Sequence, residues 1–440
     1  MKKVFLSIFA VIAMLAISNI SWAGGSPPAQ PTHRPESGYG SAAGYICNTL
    51  YTGNSIEENN AIDFGDSAAG ERCWVYIPSV LKNGTTAPVV IYLHGFMAIV
   101  PPIYAGQIDH LVRQGYIVIF PEYNMGGFTG MFEDTDQYAQ LDRAIVAVNQ
   151  ALALPDVADR AELDQVYLAS HSNGGNLSMG WTAGGGVDVQ AMVMQHPCVS
   201  NEAIPAFVRD LFLGDMVEID YAADGPATTC PVIIIGGADD TIAKRSDFGG
   251  LYNALLNVPT KVYYEYASDD HGEPMLESDH MVPAQSDGAL PGFILDLMSG
   301  MGISAFEYSS DDYRIHFAAV DAALDGQTRL AFNRGEWSDG VAVKPVYTLA
   351  DSEVSGAIVY EHCDYTGYMA QLVPGSYTLS DLRDLGIKND DLSSIQVSAG
   401  RTVTAYLHDN FGGTAVSYTA DVECLVADGL NDEVSSIIVE

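Results

Sequence analysis

Basic residues are scarce in this chain. Against 56 Asp and Glu there are 19 Lys and Arg in 440 residues, a formal net charge of −37. Nucleic acids and anionic bilayers are bound through Lys and Arg that displace counterions or meet headgroups, so neither is an expected partner. Charge of either sign is thin as well, at 17% of residues, while 48% are apolar. That balance excludes a disordered polyelectrolyte and supplies a sizeable core. Long hydrophobic runs are missing beyond the N-terminus. Val4 to Ile17 is a nearly continuous apolar run, follows Lys2 and Lys3, and is succeeded by Ser21-Trp22-Ala23. It falls short of the ~20 residues a membrane span needs. The order basic, apolar, small predicts a cleaved secretory signal over 1–23, a secreted or periplasmic protein and no transmembrane segment. Cysteine is sparse too, and none of the six shows C-x-x-C metal spacing. An even number in an oxidising compartment predicts disulfides, and proximity in sequence suggests Cys47–Cys73, Cys198–Cys230 and Cys363–Cys424.

What is present divides in two. After a Gly-, Pro- and Ser-rich lead-in over 24–44, apolar β-branched runs recur at Cys73–Ile77, Val89–Leu93, Tyr116–Phe120, Val166–Ala169, Ala191–Gln195, Val232–Ile235 and Lys261–Tyr266. Segments of helical periodicity separate them; the clearest, Gln137–Leu154, puts Leu141, Ile145, Val148 and Leu152 on one stripe. Strands alternating with helices predict an α/β domain over 24–300 with a mostly parallel sheet covered on both faces. Residues 301–355 are less periodic and read as an extension or a linker. From 356 to 440 the runs are short, turn residues are frequent and no strong helix is evident. Tyr360-x-x-x-x-Tyr365-x-Gly367 returns as Tyr406-x-x-x-x-Phe411-x-Gly413, and Asn389-Asp390-Asp391-Leu392-Ser393-Ser394 as Asn431-Asp432-Glu433-Val434-Ser435-Ser436. Two motifs repeating in the same order mark a duplicated unit of about forty residues.

The chemistry of the first part centres on Ala169-Ser170-His171-Ser172-Asn173-Gly174-Gly175, between a strand-like and a helical run. Strand, tight turn and helix are the setting of a nucleophile elbow, which exposes Ser172 and places the Asn173 amide at a helix N-terminus. Gly174 meets the need for a small flanking residue; Ser170 replaces the usual first glycine. His94-Gly95-Phe96 follows an earlier strand, where a second oxyanion amide, from Phe96, is expected. The strand Val232–Ile235 leads to Gly236-Gly237-Ala238-Asp239-Asp240-Thr241, the place of the acid that orients a catalytic histidine, assigned to Asp240. Two histidines compete for the base. His271, in Asp269-Asp270-His271-Gly272-Glu273-Pro274, comes directly after the last strand and is preferred; His280, in Ser278-Asp279-His280-Met281-Val282-Pro283, is the alternative. His94 and His196 read as structural or pocket-lining, His171 as pointing away from the reaction, and Tyr123–Phe132 as a pocket-edge loop.

The stretches Tyr92–Phe96, Ser170–Gly175, Gly237–Ala243 and His271–Pro274 resemble the dienelactone-hydrolase/cutinase-like α/β-hydrolases, which include bacterial lipases and polyester hydrolases. The resemblance covers roughly residues 70–300. It implies ester hydrolysis through an acyl-enzyme: Ser172 attacks, His271 acts as base and then acid, Asp240 orients it, and the Phe96 and Asn173 amides bind the oxyanion. Polyester-cleaving members carry an aromatic residue after the proline that follows strand six; here Pro197 precedes Cys198, a departure bearing on polyesters rather than on esters in general.

Calcium takes several oxygen ligands, and Asn-Asp-x-x-Ser-Ser offers them twice. With the paired Tyr/aromatic/Gly signatures, residues 356–440 resemble the two Greek-key motifs of a calcium-binding βγ-crystallin domain. That resemblance implies an all-β sandwich of two antiparallel sheets with two Ca2+ sites. Asp390 with Ser393 and Asp432 with Ser435 would ligate, completed by the Glu361 and Leu407 carbonyls, while Asn389 and Asn431 shape the loops or ligate. The whole chain therefore reads as a serine ester hydrolase on small-molecule, lipid or polymeric esters with a structural calcium module. The alternatives are an esterase on acylated polysaccharide, or a calcium-dependent adhesion or structural protein whose hydrolase domain is inactive.

Overall fold

The computed structural model describes residues 25–29, 45–51, 57–58, 72–96, 98–124, 134–198, 217–243, 245–285, 309–350, 356–372, 374–385, 387–398 and 400–440. The expected signal over 1–23, most of the lead-in and all but the first two residues of Tyr123–Phe132 lie outside these.

Ten strands form one sheet: β1 (Tyr45–Tyr51), β2 (Glu57–Glu58), β3 (Arg72–Pro78), β4 (Ala87–Leu93), β5 (Ile117–Pro121), β6 (Ala161–His171), β7 (Met192–Gln195), β8 (Val232–Gly237), β9 (Lys261–Tyr266) and β10 (Val346–Ala350). Their order across the sheet is β10-β9-β8-β7-β6-β4-β5-β3-β1-β2. The six strands from β9 to β5 are mutually parallel; the outer pairings, β10 with β9, β5 with β3, β3 with β1 and β1 with β2, are antiparallel. All seven apolar runs of the sequence fall in these strands to within one residue. Every residue of β4, β5 and β8 is buried. A parallel strand covered on both faces needs apolar side chains at every position, so these runs are continuous rather than alternating.

Helices cover both faces: α1 (Ala105–Arg113), α2 (Gln137–Leu152), α3 (Asn173–Gly180), α4 (Arg245–Ala254) and α5 (Ala318–Leu324), the last entered through a π-helical turn at Asp312–Phe317. Alternate residues of β4 face different layers. Val89, Ile91 and Leu93 pack with the α2 stripe of Leu141, Ile145, Val148 and Leu152, and Val90 and Tyr92 with Ile108 and Leu111 of α1. Helix α2 is started by Asp136, whose carboxylate accepts the Tyr138 and Ala139 amides at 3.0 and 3.2 Å, satisfying N–H groups that a helix end leaves without partners. The stretch read as extension or linker supplies β10 and a buried ion pair, Arg334 to Asp311 at 2.7 Å. The same guanidinium donates to the carbonyls of Ala267 and Lys344, so 309–350 is built into the large sheet. Among the described residues no helix is long and apolar enough to cross a membrane.

The remaining strands are β11 (Ala357–His362), β12 (Thr366–Leu372), β13 (Gly375–Tyr377), β14 (Ser394–Val397), β15 (Val403–His408), β16 (Gly412–Tyr418) and β17 (Ser436–Val439). They form two antiparallel sheets, β12-β11-β14 and β13-β17-β15-β16. Strand β13 belongs to the first repeat yet pairs with β17 of the second, while Val422 of the second repeat pairs with Ile395 in β14 of the first. Each repeat thus lends backbone to the other's sheet. The paired aromatic signatures occupy equivalent corners: Tyr360 and Tyr365 rings are 5.6 Å apart and Tyr406 and Phe411 rings 5.7 Å.

Cys363 and Cys424 are disulfide-bonded, enclosing 61 residues of separation. The other two suggested pairs do not form. The β1–β3 register sets Cys47 against Tyr76 and Leu50 against Cys73, so the two cysteines are offset by three positions, about 10 Å along the strands, beyond disulfide reach. Cys198 follows the C-terminal end of β7 and Cys230 precedes the N-terminal end of its parallel neighbour β8, which puts them at opposite ends of the strands. Closing a loop of this length restricts the unfolded chain, so replacing both Cys363 and Cys424 by Ser is expected to cost the C-terminal sandwich about 2–4 kcal/mol. Chemical denaturation of wild type and the double variant measures it, and coincident midpoints would contradict it.

Candidate functional site

Five loops meet at the carboxyl ends of parallel strands, where open α/β sheets form their binding crevices: those after β4, β6, β7, β8 and β9. The strand β6 ends at His171 and α3 begins at Asn173, so Ser172 alone makes the turn, with φ 53° and ψ −122°. Such a backbone is strained for a residue with a side chain and turns the hydroxyl out of the strand line. The turn also presses close to its neighbours: a Cβ on Gly174 would lie 2.3 Å from the Leu93 carbonyl oxygen. Gly174 N–H donates to His94 O at 3.0 Å, joining the loop after β4 to the elbow.

Ser172, Asp240 and His280 are brought together. His280 Nε2 lies 2.7 Å from Ser172 Oγ, and its Nδ1 lies 2.8 Å from Asp240 Oδ2. With Nδ1–H donating to the carboxylate, Nε2 is left to accept from the serine hydroxyl. Asp240 Oδ1 accepts the amides of Ile242 and Ala243, each at 2.8 Å. Burial alone would raise this carboxyl; the positive potential and hydrogen bonds of His280 and His196 outweigh it and hold Asp240 well below its usual range. Its neighbour Asp239 is structural, accepting Ser278 Oγ at 2.9 Å and Ser268 N at 3.1 Å.

His271 does not join them. The chain after β9 closes on itself through the Asp269–Leu276 bridge, and the Asp269 carboxylate takes Trp337 Nε1 and Lys344 N. This closed loop holds His271 at the surface, 2.7 Å from Asp339 and one-third exposed. Once the loop has closed, the following residues bring His280 back to Asp240. The histidine nearer the strand is thus held within this closed loop, against Asp339.

Of the two amides expected to bind an oxyanion, Asn173 N follows Ser172 directly and Phe96 N lies in the loop after β4, whose Gly95 packs against Ser172. Asn173 N opens α3, whose first N–H groups have no intrahelical acceptor; its side chain is held by Gln137 at 2.6 Å and Gln140 at 3.1 Å. Phe96 lies in the loop fastened by Gly95 N to Tyr104 OH at 2.8 Å. Tyr104 OH also meets His171 Nδ1 at 2.8 Å, and His171 Nε2 donates to the His280 carbonyl at 2.8 Å. His171 therefore ties the loop after β4 to the segment bearing His280, a role its position beside the serine did not disclose. Burial holds it neutral, well below the ordinary histidine value. His94, stacked on Tyr123 at 3.9 Å, is pushed down by burial to about 3.

In the C-terminal sandwich, oxygens converge in two equivalent places, and the repeats cross. Ser393 Oγ meets Glu361 O at 2.7 Å and Asp432 Oδ1 at 3.0 Å. Ser435 Oγ meets Leu407 O at 3.1 Å and Asp390 Oδ1 at 3.3 Å. Each aspartate thus joins the serine of the other repeat rather than its own. Both aspartates sit at positive φ, 55° and 53°. Asn389 and Asn431 use their amide nitrogens to hold the adjacent Asp390 and Asp432, and Asn389 Oδ1 is buried without a hydrogen-bond partner. An all-oxygen set of hydroxyl, carbonyl and carboxylate with an orphaned amide oxygen fits a hard cation such as Ca2+.

Comparison with known proteins separates the same two regions of chemistry. The model of the Chlorophyllase family, an α/β-hydrolase-like family of ester hydrolases, matches residues 49–193; the match includes Ser172 and ends before Asp240 and His280. Development-specific protein S of Myxococcus xanthus is 38% identical over 81 residues, 18% of this chain and 46% of that protein. Its homolog from the same organism is 36% identical over 81 residues, 18% of this chain and 45% of that protein. The chain spans about half the length of the curated relatives it matches. Among solved structures, a βγ-crystallin domain from Flavobacterium johnsoniae has 42% identity, covering 19% of this chain and 92% of that one with a TM-score of 0.19. One from Clostridium beijerinckii has 39% identity over 19% and 95%, also at 0.19.

Because folding holds the Asp240 carboxyl below its ordinary 3.8, the unfolded chain binds this proton more tightly than the folded one. The resulting stability is complete above about pH 5 and is lost as pH falls toward the folded value. Asp240→Asn, which cannot ionise, is expected to show a flatter loss of stability between about pH 4 and 2. Acid titration of folding by circular dichroism tests this; parallel curves for variant and wild type would refute it.

Proposed function

We propose that the chain is a secreted or periplasmic serine hydrolase of carboxylic esters, with a calcium-binding βγ-crystallin-like domain over 356–440. The observation that carries the enzymatic reading is the continuous bonding from Ser172 through His280 to Asp240. The similarity of residues 49–193 to a family of ester hydrolases supports it. His280 is the base. Its Nε2 removes the Ser172 proton as Oγ attacks the ester carbonyl, and Asp240 stabilises the imidazolium that forms. The Asn173 and Phe96 amides receive the oxyanion. His280 then gives its proton to the departing alcohol, leaving an acyl-Ser172 that water releases by the same steps in reverse. A disulfide in the chain accords with an oxidising compartment.

The calcium reading rests on the crossed oxygen clusters and on the relatives named as βγ-crystallin domains. One ion would be held by Glu361 O, Ser393 and Asp432, the other by Leu407 O, Ser435 and Asp390, with Asn389 and Asn431 positioning the aspartates. Since each set draws on both repeats, binding ties the halves together and stabilises the sandwich by mass action.

Hydrolysis of p-nitrophenyl esters from acetate to palmitate tests the enzyme. Ser172→Ala and His280→Ala should each lower kcat/KM by about 10⁴ or more, while His271→Ala should remain close to wild type. Loss of activity in His271→Ala with retention in His280→Ala would reverse the assignment of the base, and a folded wild type inert on every ester would end the reading. Calorimetric titration tests the sandwich: Ser393→Ala and Asp432→Asn should abolish the same one of two calcium-binding steps. If Ser393→Ala instead shares its lost step with Asp390→Asn, the crossed assignment fails.

A further inference from the structure

Asp240 carries a second histidine. His196 Nδ1 lies 2.8 Å from the same Oδ2 that His280 meets. His196 is fully buried, follows β7, and has φ 45°, a left-handed backbone that a residue of its size adopts only where surroundings enforce it. Its Nε2 is 3.1 Å from Tyr266 OH, which is 2.9 Å from His316 Nε2, while His316 Nδ1 has no hydrogen-bond partner. Burial holds His316 well below and Tyr266 well above their ordinary values, so both are neutral. With His196 donating Nδ1–H to Asp240 and accepting at Nε2, the chain runs in one sense: His316 Nε2–H donates to the Tyr266 oxygen and Tyr266 O–H to His196 Nε2.

We propose that His196 is a positioning residue of the hydrolytic site, a second donor on Asp240 that sets how firmly His280 holds a proton, with its own tautomer fixed by Tyr266. The inference rests on the ester-hydrolase reading. A carboxylate oxygen shared between two donors binds each less strongly than one serving a single donor, because each bond draws on the same negative charge. Without His196, Asp240 would stabilise protonated His280 more, and the base would be disabled up to a higher pH. The other groups around these rings stay constant across the variants below. They are His171 and Tyr104 on the β6 and α1 side, with His171 centred 5.0 Å from His280. Asp239 and Asp279 flank the His280 segment, and Asp311, Asp312, Arg334 and His316 lie around Tyr266.

The test is the pH dependence of kcat/KM on p-nitrophenyl acetate for wild type, His196→Ala, His196→Asn, Tyr266→Phe and Ser172→Ala. His196→Ala should move the acid limb up by about one pH unit. His196→Asn places an amide N–H where Nδ1–H stood and tolerates positive φ, so it should restore the limb to the wild-type position. Tyr266→Phe removes only the hydroxyl and should move the limb in the same direction by less; it decides the matter should His196→Ala not fold. Wild-type turnover that is lost in Ser172→Ala, together with a limb unmoved in His196→Ala and Tyr266→Phe, overturns this inference and leaves the hydrolase reading standing. A fall in rate equal at every pH does the same, since it marks a merely structural role. A wild type without ester turnover overturns both.

Discussion

The buried carboxylate of Asp240 is the constraint on which the first site depends. An ion taken out of water must regain its hydrogen bonds from the protein, or folding carries the cost of stripping it. Four donors answer that demand. Two are amides of its own loop, one is His196 from the end of β7, and one is His280 from beyond β9. A single charge thus draws three consecutive strand ends together. Ser172 meets His280 because β6 lies next to β7 in the sheet and because its strained turn points Oγ across that gap. On the far side, the Gly95–Tyr104–His171 bonds reach the His280 carbonyl. The segment bearing His280 is therefore held by its side chain, against Asp240 and Ser172, and by its backbone, against His171.

The C-terminal sandwich is organised differently. No central charge gathers it; duplication does. Each repeat lends backbone to the other's sheet, β13 pairing with β17 and Val422 bridging to β14. The loops that carry Asn-Asp-x-x-Ser-Ser consequently lie where the halves meet, and each aspartate faces the serine of the opposite repeat. The oxygen clusters are products of the exchange. A cation held there would act on the join between the halves and stabilise the folded sandwich by mass action.

Much of this was legible along the chain because it is local. Continuous apolar runs announce strands buried on both faces, and a serine between such a run and a helical segment announces a strained turn, since period and turn chemistry are settled by residues a few positions apart. The recurrence of two spaced motifs likewise disclosed the duplication. Other features had no local signal. His271 and His280 sit in similar sequence settings, and the difference between them is made by the closure of Asp269 on Leu276 and by Trp337 and Lys344, some seventy positions downstream. His196 follows a strand with no motif around it. Cys47 and Cys73 are neighbours by sequence standards yet are separated by a strand register that no spacing rule contains.

The chain's order of residues therefore carries the α/β alternation, the turn at Ser172, the acidic loop after β8 and the twofold repeat. Which histidine meets the carboxylate, that a second one shares it, which cysteines bond and which aspartate accompanies which serine were decided in three dimensions. The physical reason is the same in each case. Those choices depend on strand register, on loops closing against distant segments and on one buried charge collecting whatever donors the sheet delivers to it, and none of these is a property of neighbouring residues.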